Sequence, residues 1–115
     1  MAIQRSEFTA RYANIVVNDN TVYLSGVIPK NFDGSITEQC EEVFIAIDSL
    51  LGKAGSDKSK ILSMQCFISS FEDFDQFNQV YDNWVDGENL PARATVQAVL
   101  FDARVKIEIV LTAAI

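Results

Sequence analysis

Ile36, Cys40, Val43, Phe44, Ile47, Leu50 and Leu51 fall on one side of a 3.6-residue turn and leave the other side polar. A helix with one apolar stripe is stable only when another layer covers that stripe. The spacing therefore predicts a helix from about Ile36 to Lys53 that needs a partner surface. Ser35 and Glu38 stand at capping-box spacing before it, so each side chain can satisfy one of the amides that a helix start leaves unbonded. Gly52 and Gly55 are candidate stop signals.

The partner surface is written in the flanking segments, where the period changes to two. Asn14 to Val17 and Thr21 to Gly26 are short β-type runs, joined by Asn18-Asp19-Asn20, residues that tolerate turn backbone. Gly26 to Gly34 reads as loop, punctuated by Pro29 and Asp33-Gly34. Leu62, Met64, Cys66 and Ile68 alternate with Ser63, Gln65, Phe67 and Ser69, a strand with one buried face. A second helix carries Phe71, Phe74, Phe77, Val80, Tyr81, Trp84 and Val85, with Ser70 and Asp73 as candidate caps and Asp86-Gly87 as its end. An aromatic stripe at this spacing reads as core, not as a ligand box. The last segment reads as a hairpin. Ala94, Val96, Ala98 and Leu100 alternate with Arg93, Thr95, Gln97 and Val99; Phe101-Asp102-Ala103 is the bend; Val105, Ile107, Ile109 and Leu111 alternate with Lys106, Glu108, Val110 and Thr112. The expectation is an α+β fold of order ββαβαββ, a mixed β-sheet with two helices packed on one face.

At 115 residues, with 49% apolar and 22% charged residues, the chain reads as one globular domain, residues 1–115. A net charge of −7 with scattered basic residues argues against a nucleic-acid partner, which requires clustered Lys and Arg. No apolar run approaches a membrane span, and no basic segment followed by an apolar one opens the chain, so a cytoplasmic location without membrane attachment is expected. Cys40 and Cys66 read as small buried hydrophobes in a reducing compartment. Two cysteines without histidine do not make a metal site. The count of histidines, 0, excludes Ser-His-Asp and Cys-His catalysis and histidine metal ligands. Any general acid or base must be a carboxylate, Lys, Tyr, Cys or a bound water.

Antiparallel pairing around the bend would bring Thr95 near Glu108 and Arg93 near Val110. Arg93, Thr95, Gln97, Lys106 and Glu108 would then project from one face, unless the register slips by one residue and scatters them. Two readings fit that set. One is an anion site, in which the Arg93 fork holds a carboxylate and Glu108 orients or deprotonates a water. The other is a solvated ladder of salt bridges, worth little to stability. An uncovered face that mixes Val110 and Thr95 with charges favours burial by self-association in a closed cyclic oligomer, where a fixed arginine gains weight.

Four segments in order resemble the Rid (YjgF/UK114) family. Tyr23-Leu24-Ser25-Gly26-Val27-Ile28-Pro29 is similar to its second strand and loop, which ends Ser-Gly-Gln-Ile-Pro. Phe74-Asp75-Gln76-Phe77-Asn78-Gln79-Val80-Tyr81 is similar to its second helix, and Leu90-Pro91-Ala92-Arg93-Ala94-Thr95-Val96 to its Pro-Ala-Arg-Ser signature. Val105-Lys106-Ile107-Glu108-Ile109 is similar to its final strand. The likeness runs from about residue 11 to the C-terminus and marks a short, divergent, bacterial-type member. It implies a chorismate-mutase-like fold and a homotrimer with three intersubunit pockets. It also implies hydrolytic deamination of reactive enamine or imine acids (2-aminoacrylate, 2-iminobutyrate) to 2-keto acid and ammonia without a cofactor or metal. By the same resemblance Arg93 matches the arginine that holds the substrate carboxylate, and Glu108 the acid that positions water. Tyr12 and Ser25 match the pocket tyrosine and serine. Thr95 stands where the family often has Cys or Ser. Ala10-Arg11 replaces Gly-Pro before the tyrosine, Val27 replaces the loop glutamine, and Val110 a second glutamate. Two alternatives stay open: a non-catalytic binder of small carboxylates such as 2-keto acids, and an endoribonuclease, an activity attributed to some relatives.

Overall fold

The computed structural model describes residues 2–115. Its strands are β1 (Gln4–Phe8), β2 (Ala13–Asn18), β3 (Thr21–Val27), β4 (Ile61–Ile68), β5 (Ala92–Gln97) and β6 (Ile107–Ala114), and its helices are α1 (Ile36–Lys53) and α2 (Phe74–Trp84). The strands form one six-stranded mixed sheet in the order β1-β2-β3-β6-β4-β5. Both helices pack on one face, where Ile15, Val22 and Leu24 of the early strands, Met64, Cys66 and Ile68 of β4, and Ile107, Ile109 and Leu111 of β6 meet the α1 stripe.

The α1 reading holds in detail. The Glu38 amide donates to Ser35 Oγ at 3.2 Å, and the Ser35 amide donates to Glu38 Oε1 at 2.9 Å. Gly52 lies within the helix, whereas Gly55 takes φ 81° just beyond it, the left-handed residue that lets the Ser56 amide turn back onto Leu51 O at 2.8 Å. Before α2, Ser70 caps a short 3₁₀ turn through the Glu72 amide, and Asp73 makes no capping bond. Of the aromatic stripe, Phe77 and Tyr81 are buried and Phe74, Val80, Trp84 and Val85 pack partly buried against the core, whereas Phe71 lies in the 3₁₀ turn, 50% exposed. Phe44 stacks on Trp84 at 4.3 Å between centroids and reaches Phe77 and Tyr81 across the helix pair.

Two expectations are corrected. First, a further strand, β1, precedes the expected series and pairs antiparallel with β2. All its residues are exposed, so Gln-Arg-Ser-Glu-Phe carries none of the apolar alternation by which a half-buried strand is recognised. Second, the terminal hairpin does not form. β5 runs parallel to β4, with Met64 beside Arg93 and Cys66 beside Thr95, while β6 lies antiparallel to both β3 and β4. The reason is burial. Every second residue of β6 is buried, which demands a central strand covered by α1, whereas no residue of β5 is buried, which suits an edge. The α2 crossover then joins β4 to its parallel neighbour β5, the usual βαβ connection.

Two polar side chains are buried among the described residues, Gln39 and Ser56. Gln39 of α1 is fully buried; its Nε2 donates to Phe32 O at 3.1 Å, Gly34 O at 3.1 Å and Arg104 O at 2.9 Å, and its Oε1 accepts from the Lys106 amide at 2.8 Å. It ties the loop before α1 to the chain entering β6. Both cysteines are free thiols in the core. Burial, helped by the Asp73 carboxylate, pushes Cys40 up to about 12. Burial pushes Cys66 up to about 11, against the opposing pull of Arg93.

Replacing Gln39 by Leu leaves an amide and three carbonyls without their partner; unfolding by denaturant should show a loss of about 2–4 kcal/mol. The thiols should stay unlabelled by a disulfide reagent at pH 8 in the native protein and react fully once it is unfolded. Because the folded state holds these protons more tightly, their contribution to stability is complete below the ordinary thiol value of 9.0 and is lost as pH climbs through about 11 and then about 12. Unfolding curves across that alkaline range, in the wild type and in Cys66→Ala, measure it.

Candidate active site

Arg93 sits on the edge strand β5, and its side chain turns toward the helices. The guanidinium lies over the Tyr81 ring at 4.6 Å and the Phe77 ring at 5.3 Å, and its Nη1 donates to Asn78 Oδ1 at 2.9 Å. Residues 77, 78 and 81 are neighbours on one side of α2, so one helix supplies both the aromatic platform and the hydrogen-bond partner. No carboxylate pairs with Arg93 among the described residues. The guanidinium is thus held in place by groups that leave most of its donors unengaged and its charge uncompensated. Burial raises the Tyr81 phenol, with Arg93 pulling the other way.

Thr95 lies two residues further on the same side of β5. Its Oγ1 is buried and has no hydrogen-bond partner. It lies beside the Cys66 thiol of β4, whose value it pulls down against the effect of burial. Gln97, next along that side, accepts from the Phe71 amide at 3.3 Å and anchors the start of the 3₁₀ turn.

Glu108 is on the opposite face. It sits near the start of β6 beside Phe67 of β4, and its carboxylate rests against Gly26 of β3. Among the described residues it makes no hydrogen bond and no ion pair, so both oxygens are available. Close by, Ser25 Oγ donates to Ala13 O at 2.7 Å and bridges β3 to β2. Tyr12 immediately precedes β2, 54% exposed, in a turn fastened by Thr9: the Arg11 and Tyr12 amides both donate to Thr9 Oγ1 at 3.1 Å. Arg11 is exposed on the same turn. Val27, where the family has glutamine, is buried in the core.

The expected one-face constellation is therefore split. Arg93, Thr95 and Gln97 belong to the helix-covered face at the sheet edge, and Glu108 belongs to the open face beside Ser25 and Gly26. The cause is the same insertion of β4 between β5 and β6 that removes the hairpin. Asn78, Phe77, Tyr81 and Gly26 were not foreseen as site residues. The signal for the first three was the side of α2 they share, which is half aromatic and half polar where a pure core stripe would be apolar. Clefts open beside the β5–β6 loop, along α1 and between the helices, and these are lined by residues other than Arg93, Thr95, Glu108, Ser25 and Tyr12. No helix of the described residues is long and apolar enough to cross a membrane.

The model of the family described as Endoribonuclease L-PSP matches residues 2–115. A RutC family protein of Haemophilus influenzae is 42% identical over 114 residues, covering 98% of both chains. A crystal structure of a YjgF-family member from Neisseria meningitidis superposes with a TM-score of 0.95 at 34% identity, covering 99% of this chain and 95% of the other. A Rid-family protein of unknown function from Yersinia pestis gives a TM-score of 0.86 at 29% identity, covering 94% of this chain and 90% of the other. With the sheet order, the Arg93 edge strand and matches that span the whole described chain, the protein belongs to the Endoribonuclease L-PSP family, the group also called Rid, YjgF and RutC.

Proposed function

We propose that this protein is a hydrolytic deaminase of reactive enamine and imine acids, acting as a homotrimer whose pockets lie between subunits. The carrying observation is that Arg93 and Glu108, each with unengaged polar groups, lie on opposite faces of one chain. β4 separates their strands, which sets them about two strand spacings, or ~10 Å, apart across the sheet. An imino acid of a few carbons does not bridge that distance through a sheet. A pocket that uses both must take Arg93 from one subunit and Glu108 from another. Burial of the open face, where Tyr23 and Val96 are each 45% exposed beside Val110, gives such an assembly its driving force.

The chemistry needs no histidine. Arg93 holds the substrate carboxylate by charge-assisted hydrogen bonds, with Asn78 and the rings of Phe77 and Tyr81 fixing its angle. The imine carbon is already electrophilic. Glu108 takes a proton from water as the oxygen adds to that carbon, giving a carbinolamine. The proton returns to nitrogen; Glu108 then takes the carbinolamine hydroxyl proton as the C=O bond forms and the C–N bond breaks, releasing 2-keto acid and ammonia. Thr95 and Tyr12 offer hydroxyls to the bound acid. The family description names an endoribonuclease, but a net charge of −7 and the lack of histidine favour a small acid over RNA in this chain.

Keto-acid release from freshly generated 2-aminoacrylate or 2-iminobutyrate should be catalysed by the wild type. In Arg93→Ala kcat/KM should fall about 100-fold, the worth of a charge-assisted pair at roughly 3 kcal/mol. Normal turnover in that variant removes Arg93 from the mechanism. Saturable 2-keto acid binding without hydrolysis makes the protein a carboxylate binder instead. Arg93→Ala and Glu108→Gln subunits, each strongly impaired alone, should regain activity when co-assembled, because mixed trimers contain pockets with both native residues. Absence of complementation argues against a shared pocket.

A further inference from the structure

The residue that sets the position of Glu108 is a glycine. Pairing between β3 and β6 shifts between Leu24 and Val27: Leu24 faces Leu111 and Val27 faces Ile109, so β3 carries one extra residue there. This is a β-bulge, a device that re-aims neighbouring groups. Gly26 lies in it. A Cβ added at Gly26 would overlap Oε2 of Glu108 and lie 3.0 Å from its Cδ and 3.3 Å from its Cγ. The three heavy atoms nearest to that Cβ all belong to Glu108. The backbone is not the reason for glycine, because Gly26 does not have the positive φ that Gly55 has. Any L-residue fits the main chain here; what it does not fit is the carboxylate.

We infer that Gly26 is a positioning residue: its missing side chain, presented by the bulge, keeps the Glu108 carboxylate laid over β3 with both oxygens unengaged. The functional part of this inference rests on the reading of Glu108 as the water-activating group; the geometric part does not. The colliding group is the far end of a flexible side chain, so a methyl at position 26 should swing the carboxylate away and leave the fold intact.

The test is Gly26→Ala in the full-length protein, with crystal structures of variant and wild type and imine-hydrolysis kinetics. The variant should assemble and melt like the wild type. Its Glu108 carboxylate should be displaced from β3. Its kcat should drop roughly tenfold or more, the range for a misplaced general base, with KM nearly unchanged. A carboxylate found in its original place overturns the inference, as does unchanged kcat in the presence of measurable wild-type activity. A wild type that hydrolyses no imine sinks the deaminase reading alone, and the crystallographic position of Glu108 then decides the role of Gly26. Should Gly26→Ala fail to fold, Gly26→Ala combined with Glu108→Ala settles the matter: folding restored there confirms that the carboxylate was the obstacle, and folding still lost shows that the backbone requires glycine.

Discussion

The chain entering the sheet last takes a central place in it, and the remaining arrangement follows from that. β6 buries every second residue against α1, so it is stable only between two other strands. Its insertion between β3 and β4 pushes β5 to the edge. At the edge Arg93 has room to lean over α2, where Tyr81, Phe77 and Asn78 receive it. In the centre Glu108 is carried to the opposite face and brought against the bulge of β3. The hydrophobic demand of Ile107, Ile109, Leu111 and Ala113 thus determines where two charged residues of the same segment end up.

Polar groups then lock this arrangement. A central strand that arrives late in sequence needs its entry point fixed, and Gln39 does that by binding the chain on both sides of Val105. The site shows the contrasting condition. Among the described residues Thr95 Oγ1 makes no hydrogen bond within ordinary geometry, Glu108 is unbonded, and Arg93 pairs with no carboxylate. Satisfied polar contacts fix the entry to β6, and unengaged ones gather around Arg93 and Glu108.

This contrast also explains what the sequence discloses. Local features were legible because local physics sets them: the α1 stripe with its Ser35–Glu38 box, the Asn18-Asp19-Asn20 turn with Asp19 at φ 53°, and the alternation of β4 and β6. β1 was invisible because an edge strand exposed on both sides has no apolar period. The β5–β6 pairing was misread because sequence proximity suggests a hairpin, while the true partner of each strand is chosen by burial across the whole sheet. Arg93 and Glu108 were identifiable as residues from their motifs. Their separation onto two faces was not, since it depends on that non-local choice. Gly26 was visible only as part of a motif; its contact with Glu108 joins segments more than eighty positions apart in a chain of 115 residues.

The two outer strands carry a last consequence. β1 and β5 leave unpaired backbone at opposite ends of the sheet, a geometry in which one molecule's edge could extend the next without limit. β1 is a poor template for such growth. It bears Arg5 and Glu7, and Glu7 takes a left-handed φ of 56° that breaks the regular run of donors and acceptors. β5 is preceded by Pro91 and has the Arg93 charge on one side. Lateral polymerisation is therefore discouraged at both ends. The two strands that contribute least to the core are the ones that guard the edges of the sheet.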